Sequence, residues 1–493
     1  MLFHSPEFFA FLAIVLAGYW AVSHRSIPRS HSIQNLLLLG SSYVFYGWWN
    51  PWYLILIIAS SGIDFLVANG IHRSHRSAIR HVGLAISLAV NLGMLAYFKY
   101  ANFFIDETVW LLNQIGMRPN ISSLKIILPV GISFYTFQTL SYTIDVYRRK
   151  IKPARDPIAF FAFVAFFPQL VAGPIERAGH LLPQFLKRRN FDYEFAKSGC
   201  RLAAWGFFKK IFVADPCGAI ADPIFNAYQS HSGWTLAAGS VFFAFQIYGD
   251  FSGYSDIARG TARLMGFDLM RNFATPYFSR DLAEFWRRWH ISLSGWFRDY
   301  VYIPMGGSRV SKPRWAMNIL AVFAISGLWH GANRTFLVWG LIHGVFVLIA
   351  AAVDRHAKST RTHDPHDFAM GGNLMPSLGM LVGMFGTFAV VCVAWSYFRS
   401  PTVIDANRYL GRMIGDSLEH PGGILVIMRR YFWQPAAWAI LMLVTMEWIG
   451  RWKRFELSRV PVPVRWAFYQ TVAVVTLWAI TYRPAEEFIY FQF

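Results

Sequence analysis

Two histidines, each preceded by a tryptophan, are the residues on which chemistry can turn. His290 lies in Glu284-Phe-Trp-Arg-Arg-Trp-His-Ile-Ser-Leu-Ser294, and His330 lies in Ser326-Gly-Leu-Trp-His-Gly-Ala-Asn333. An imidazole takes a proton from a hydroxyl near neutral pH, because its ordinary pKa is about 6.5. A second imidazole can orient the first or donate to a developing oxyanion. His330 is flanked by the apolar runs 319–325 and 336–342, where an imidazole is costly to bury without a partner or a purpose. The spacing alone fits two readings: a core histidine bonded to a nearby carbonyl or hydroxyl, and a general base. The chain between the two histidines holds a polar segment and the start of an apolar span, enough for both to reach one cavity. His343, on the next apolar run, is expected to be structural or supporting.

The segment 271–314 surrounds His290 with charge. It carries Arg271, Arg280, Arg287, Arg288, Arg298, Arg309, Lys312 and Arg314 against Asp281, Glu284 and Asp299, interleaved with Trp and Tyr. Such a composition suits a membrane interface lying on anionic lipid. It equally suits a cytoplasmic vestibule for a phosphorylated substrate, because arginine forks match phosphate geometry. The chain contains no Gly-x-Ser-x-Gly elbow, no His-Glu-x-x-His zinc motif and no Walker loop. Cys200, Cys217 and Cys392 lack ligand spacing, so no metal site is expected. A haem or copper pair needs histidines at matching depth, and His290 sits in a basic polar segment. Gly306-Gly307 after Pro304 reads as an ordinary turn.

The elements that position these residues are membrane spans. Of the 493 residues, 55% are hydrophobic and only 15% charged, against about 25% charged in a soluble domain. The fold class expected is an all-α polytopic membrane protein, a single integral-membrane domain over residues 1–493. Candidate spans fall at roughly 7–22, 33–49, 52–71, 82–104, 126–144, 158–173, 198–214, 234–264, 316–330, 334–353, 378–398, 433–450 and 464–482, at about 20 apolar residues per crossing. Leu128-Pro-Val-Gly131 and Phe167-Pro-Gln-Leu-Val-Ala-Gly-Pro174 interrupt two of them and read as re-entrant or buried. About eleven crossings remain. No internal repeat is visible, which argues against a transporter of two related halves. Residues 7–22 lack a basic leader and read as a retained first helix.

The net charge of +19 points to basic cytoplasmic loops rather than to nucleic acid. Arg25 and Arg29, the stretch 72–81 and the stretch 148–152 are basic, whereas the loops at Asn50-Pro51 and around Asp106 and Glu107 are not. That alternation puts the N-terminus on the extracytoplasmic side.

At this point the chain resembles the membrane-bound O-acyltransferases, in their bacterial alginate-O-acetylation branch, and more distantly the branch that D-alanylates teichoic acid. The blocks that carry the resemblance are Phe45-Tyr-Gly-Trp-Trp49, Pro129-Val-Gly-Ile-Ser-Phe-Tyr-Thr-Phe-Gln138 with Asp145-Val-Tyr147, and Phe167–Pro174. Phe251-Ser-Gly-Tyr-Ser-Asp256, Phe285–Ser294 with Asp299-Tyr-Val-Tyr-Ile-Pro304, Gly327–Asn333 and Phe488-Ile-Tyr-Phe-Gln-Phe493 follow in the family's order. Gly249 and Arg334 depart from it. The resemblance implies about eleven membrane helices and re-entrant segments around a central tunnel, His330 as the catalytic histidine and His290 as the second active-site histidine. It implies an acyl donor entering from the cytoplasm; acetyl-CoA is the donor expected, and the basic segment is expected to hold its phosphates among Arg287, Arg288 and Arg298. It also implies a bacterial inner membrane location, an extracytoplasmic polysaccharide acceptor, and a periplasmic or membrane-anchored acetyltransferase partner. Asp250, Asp256 and Tyr254 are further candidates, or hydrogen-bonding residues at a helix break. Against the enzyme stand a proton-coupled transporter of an anionic substrate, using the same histidines as a relay, and a non-catalytic assembly scaffold.

Overall fold

The sequence's Ser, Asp and Pro residues set where its helices begin. In the computed structural model, which describes residues 1–23, 30–117, 124, 126–356, 376–450, 460–482 and 488–489, Ser5 caps the first helix by accepting from the Phe8 N–H at 3.4 Å, with Pro6 in the first turn. Proline is tolerated there because that N–H lacks an intrahelical acceptor anyway. Every regular element among the described residues is helical. Arg25, Arg29 and Tyr490–Phe493 lie outside the described residues. The chain falls into two compact units, residues 1–203 with 257–270 and residues 204–256 with 271–493.

The first unit holds α1 (Pro6–Ala21), α2 (Ser30–Gly47), α3 (Tyr53–Arg73), α4 (Ser77–Leu95), α5 (Ala101–Gln114), α6 (Ile132–Tyr147), α7 (Pro157–Ala165), α8 (Phe167–Leu170) and α9 (Ala178–Phe185), and α10 (Tyr193–Phe207) begins in it. Tyr53–Arg73 and Ser77–Gln114 are each long and apolar enough to cross a membrane. The second is longer than the sequence indicates. α4 passes through a π-helical stretch, Ala96–Tyr100, into α5, and stops only where Gly116 takes φ 82° and the Met117 N–H reaches back to the Leu112 carbonyl at 3.0 Å, a Schellman-type ending. Both expected interruptions are real. Gly131 (φ 77°) leads into α6, and a Cβ there would sit 2.7 Å from the Leu170 carbonyl oxygen in the second broken segment. In the second interruption the irregular residues 171–176 are buried, whereas in the first Pro129 is buried and Leu128, Val130 and Gly131 are partly exposed. Asp64 of α3, fully buried, accepts from Asn91 at 2.8 Å, from Thr143 at 3.0 Å and from Ser87.

The second unit holds α11 (Asp215–Asn226), most of α12 (Gly233–Leu264), α13 (Leu282–Arg288), α14 (Ile291–Phe297), α15 (Lys312–His330), α16 (Arg334–His356), α17 (Leu378–Arg399), α18 (Val403–Glu419), α19 (Gly423–Phe432), α20 (Pro435–Gly450) and α21 (Val462–Tyr482). Arg334–Val353 and Leu378–Arg399 are long and apolar enough to span. Pro6–Ala21 in the first unit and Pro435–Gly450 in this one are shorter apolar helices. α15 and α16 form an antiparallel hairpin with almost no space between their backbones. A Cβ on Gly327 would lie 2.2 Å from the Phe336 carbonyl oxygen, and one on Gly340 would lie 2.2 Å from that of Phe323. Small residues at such crossings let helices approach at backbone distance.

A side chain at either glycine forces α15 and α16 apart. Gly327→Ala and Gly340→Ala should each lower stability by about 1–3 kcal/mol, the usual cost of overpacking. Gly386→Ala on α17, where a Cβ meets nothing within 4 Å, should be neutral. Thermal unfolding in detergent reads all three, and equal midpoints would refute the packing argument.

Candidate active site

His330 is the last residue of α15. Gly331 follows in extended backbone and lacks room for a side chain, since a Cβ would lie 2.1 Å from the Phe336 ring. Asn333 then caps α16 by accepting from the Thr335 N–H at 3.0 Å and is itself held by the Pro401 carbonyl at 2.9 Å. The hairpin thus fixes the imidazole at a helix end. His330 is 4% exposed. Its ring lies 5.0 Å from Trp329, 5.0 Å from Trp339 and 5.5 Å from Phe398, each edge-on.

His290 is placed by a different device. It joins α13 to α14 in the left-handed region, φ 44°, a conformation uncommon for non-glycine residues and one that clusters at functional sites. The segment 272–274 holds it there. The Ile291 N–H donates to the Asn272 carbonyl at 2.9 Å, and the Ala274 N–H donates to that of Arg288 at 2.9 Å. Asn272 Oδ1 takes the Ser292 N–H at 3.3 Å and the Ser292 hydroxyl at 2.9 Å, and lies 3.0 Å from His290 Nδ1. A backbone N–H only donates, so this amide atom is the oxygen, and His290 Nδ1 carries a proton. The neutral ring therefore presents Nε2 as an acceptor. Burial pushes the pKa of His290 down to about 3, which favours that neutral form. Donation from Nε2 to an oxyanion requires the imidazolium.

The two histidines both pack against one indole. Trp329 is 6.0 Å from His290 and 5.0 Å from His330. Phe251 of α12 meets His290 edge-on at 4.7 Å. His343 is fully buried and not in this layer. It stacks on Phe285 at 5.9 Å and meets Trp339 at 4.8 Å.

The three arginines expected at the donor phosphates separate. Arg287 is exposed. Arg298 is exposed, pairs with Asp299 at 2.8 Å, and lines a cavity of about 230 Å³ together with Trp286, Phe297, Tyr302, Phe323 and Ser326. Ser326 precedes His330 by one turn of α15. Arg288 is 2% exposed and is occupied: it reaches Glu284 at 2.8 Å and the Ala274 carbonyl at 3.3 Å. Glu284 also accepts from Arg280 Nε at 2.8 Å and from the Arg280 N–H at 3.1 Å. Burial alone raises the Glu284 pKa, but Arg288 and Arg280 outweigh it and hold the carboxyl below its ordinary value.

Asp250 and Asp256 bind cations rather than shaping a break, because α12 is continuous there. Lys210 bridges Asp250 and Asp215 at 2.9 Å each, and Lys209 pairs with Asp256. Asp250 also accepts from the Ile489 N–H at 2.6 Å, and Phe488 packs on Tyr254 at 4.9 Å. Both lysines sit in a π-helical stretch, Phe208–Ala214. Gly249 makes room for it: a Cβ would lie 2.9 Å from the Lys209 carbonyl oxygen. Asn272 is the residue that the sequence did not reveal, because it acts across an irregular segment whose spacing has no period.

The sequence profile of the membrane-bound O-acyltransferase family matches residues 148–392. The chain is 40% identical to the probable alginate O-acetylase AlgI of Pseudomonas aeruginosa, over 83% of this chain and 74% of that protein. It is 34% identical to the peptidoglycan O-acetyltransferase of Helicobacter pylori, over 84% of this chain and 80% of that protein. It is also 30% identical to the teichoic acid D-alanyltransferase of Streptococcus thermophilus, over 50% of this chain and 62% of that protein.

The buried ion pair generates a test. Glu284→Gln leaves Arg288 charged without its counter-ion and should cost about 3–5 kcal/mol. Glu284→Gln with Arg288→Met should recover much of that, read by thermal unfolding in detergent. A single variant as stable as the parent would show that Arg288 finds its compensation elsewhere.

Proposed function

The chain belongs to the membrane-bound O-acyltransferase family and is a multi-pass membrane O-acyltransferase; from that premise we propose that it transfers acetyl from cytoplasmic acetyl-CoA, across the bacterial inner membrane, to an extracytoplasmic polysaccharide such as alginate. The observation that carries this reading is the cavity between exposed Arg298 and Ser326, one helical turn before His330. Its mostly apolar wall suits a pantetheine arm, and Arg298, with Arg287 exposed on α13, suits phosphate at the entrance. Arg288 is left to hold Glu284.

In the reaction, the acceptor hydroxyl oxygen attacks the thioester carbonyl carbon while His330 takes the hydroxyl proton. The carbon–sulfur bond then breaks. The thiolate, a fair leaving group with a thiol pKa of about 8.5, recovers the proton from His330 as CoA–SH. No net proton is produced. Neutral His290 accepts a hydrogen bond through Nε2 and so orients the hydroxyl, and turns donor to the oxyanion only when protonated. The names of the relatives support a polysaccharide or peptidoglycan acceptor. A periplasmic or membrane-anchored acetyltransferase completes delivery to the polymer. The N-terminus faces the extracytoplasmic side.

Purified protein in nanodiscs, given radiolabelled acetyl-CoA with and without the partner, should pass label to an acceptor or to that partner. His330→Ala should lower the rate by about 10²-fold or more. A folded wild type that leaves acetyl-CoA intact with the partner present would overturn the donor, and proton-coupled flux through the same histidines would then be measured.

A further inference from the structure

Behind His330 lies a group of buried nitrogens that the reaction above does not use. His343 is 0% exposed, and among the described residues neither Nδ1 nor Nε2 has a hydrogen-bond partner. The same holds for Nε1 of Trp339, 0% exposed, and for Nε1 of Trp286, 9% exposed. The three rings form one group: Trp286 to His343 is 5.1 Å, Trp339 to His343 is 4.8 Å, and Trp286 to Trp339 is 5.7 Å. Trp339 also touches His330 at 5.0 Å, and Trp286 lines the cavity. Buried polar groups without partners are rare and costly, about 1–3 kcal/mol each. Three such side chains meeting between a general base and a cavity call for one occupant.

The chemistry of that occupant follows from the donors. An indole N–H only donates, and a neutral imidazole has one N–H to give. The occupant must accept hydrogen bonds. It must also reach the group from the cavity, past Trp286, and end beside His330.

We propose that Trp286, Trp339 and His343 bind the carbonyl oxygen of the acyl donor, placing the thioester carbon beside His330 and favouring the oxyanion that forms there. This rests on the acyl-CoA reading above and names where the acyl head sits. Hydrogen bonds to that oxygen strengthen as it gains charge, so the group aids the attack and not only the binding. It also supplies donors that neutral His290 cannot. For a mere packing residue, a phenylalanine in place of His343 is the better choice, since its neighbours are Phe285, Trp286 and Trp339.

Two ligands test it on the full-length protein in nanodiscs. One is the ketone analogue of acetyl-CoA, with a methylene in place of the sulfur. The other is S-ethyl-CoA, which lacks the carbonyl oxygen. The wild type should bind the ketone about tenfold more tightly, one buried hydrogen bond's worth. Trp339→Phe and His343→Phe should lose that preference, bind CoA itself as the wild type does, raise KM for acetyl-CoA by up to about tenfold as the ground-state hydrogen bond is lost, and lower kcat as well, because the bond strengthens as the oxygen gains charge. His343→Phe should also melt no lower than the wild type, which separates a lost contact from a lost fold. Equal affinity of the wild type for the two ligands would overturn the proposal, as would a preference retained in both variants; either result leaves water or simple packing as what the nitrogens serve. Failure of the wild type to bind CoA at all would instead overturn the donor assignment. Should His343→Phe not fold, Trp339→Phe alone decides.

Discussion

The backbone contact between α15 and α16 is the constraint from which the site follows. Gly327 and Gly340 allow the two helices to meet with carbonyl oxygens where side chains would otherwise stand. Approach at that distance fixes the rotation of each helix about its axis. His330, three residues after Gly327, and His343, three residues after Gly340, are then both turned to the same ring, Trp339. Loosening the hairpin by the width of a methyl group moves both. Displacements of about 1 Å are enough to spoil a reaction that depends on aligned atoms.

Charge is handled in the same economical way. The net charge of +19 suggests a surface covered in free cations, yet several of these cations are internal ties. Arg288 and Arg280 converge on Glu284, Lys210 on Asp250 and Asp215, and Lys209 on Asp256. A buried pair of this kind adds little net stability over a well-packed apolar pair, but it is costly to break. Its effect is to fix one arrangement. Through Glu284 and Arg288 it locks α13, and the Arg288 carbonyl, by accepting from Ala274, locks the segment from which Asn272 reaches His290. Arg298, by contrast, is exposed and lines the cavity, and its ion pair with Asp299 at 2.8 Å is of the surface kind that adds little stability.

The apolar spans were legible because each is a long run with few charges, and α3, α6, α12, α16, α17, α20 and α21 fall where the runs do. The breaks at Gly131 and after Ala165 were legible from Gly and Pro. The histidine blocks were legible as residue types. Their geometry was not. The hold of Asn272 on His290 crosses an irregular segment, and neither a period of 3.6 nor of 2 marks it. Arg287 and Arg288 are neighbours in sequence, but successive helix positions face different ways, so one is exposed and the other is buried on Glu284. The continuation of α4 into α5 was hidden because a π-helical stretch leaves no Gly or Pro signature at Ala96–Tyr100.

The tautomer of His290 bears on how two imidazoles can share one reaction. If both presented lone pairs to the same hydroxyl, one would be redundant. If both presented N–H groups, neither could take the proton. Asn272 decides one half of this by fixing Nδ1–H, so that Nε2 of His290 accepts while the ring is neutral. Full burial keeps it neutral. His330 ends α15 one turn beyond Ser326 of the cavity wall, and the proposed reaction asks it to take the proton while His290 aims the substrate. The donor for the developing oxyanion has to come from elsewhere, and the indole and imidazole nitrogens of Trp286, Trp339 and His343 packed behind His330 are among the buried groups without a hydrogen-bond partner in the described residues. A division into proton acceptor, aiming group and anion donor is what acyl transfer from a thioester asks of a site, because the same carbonyl must be attacked, charged and released without water entering.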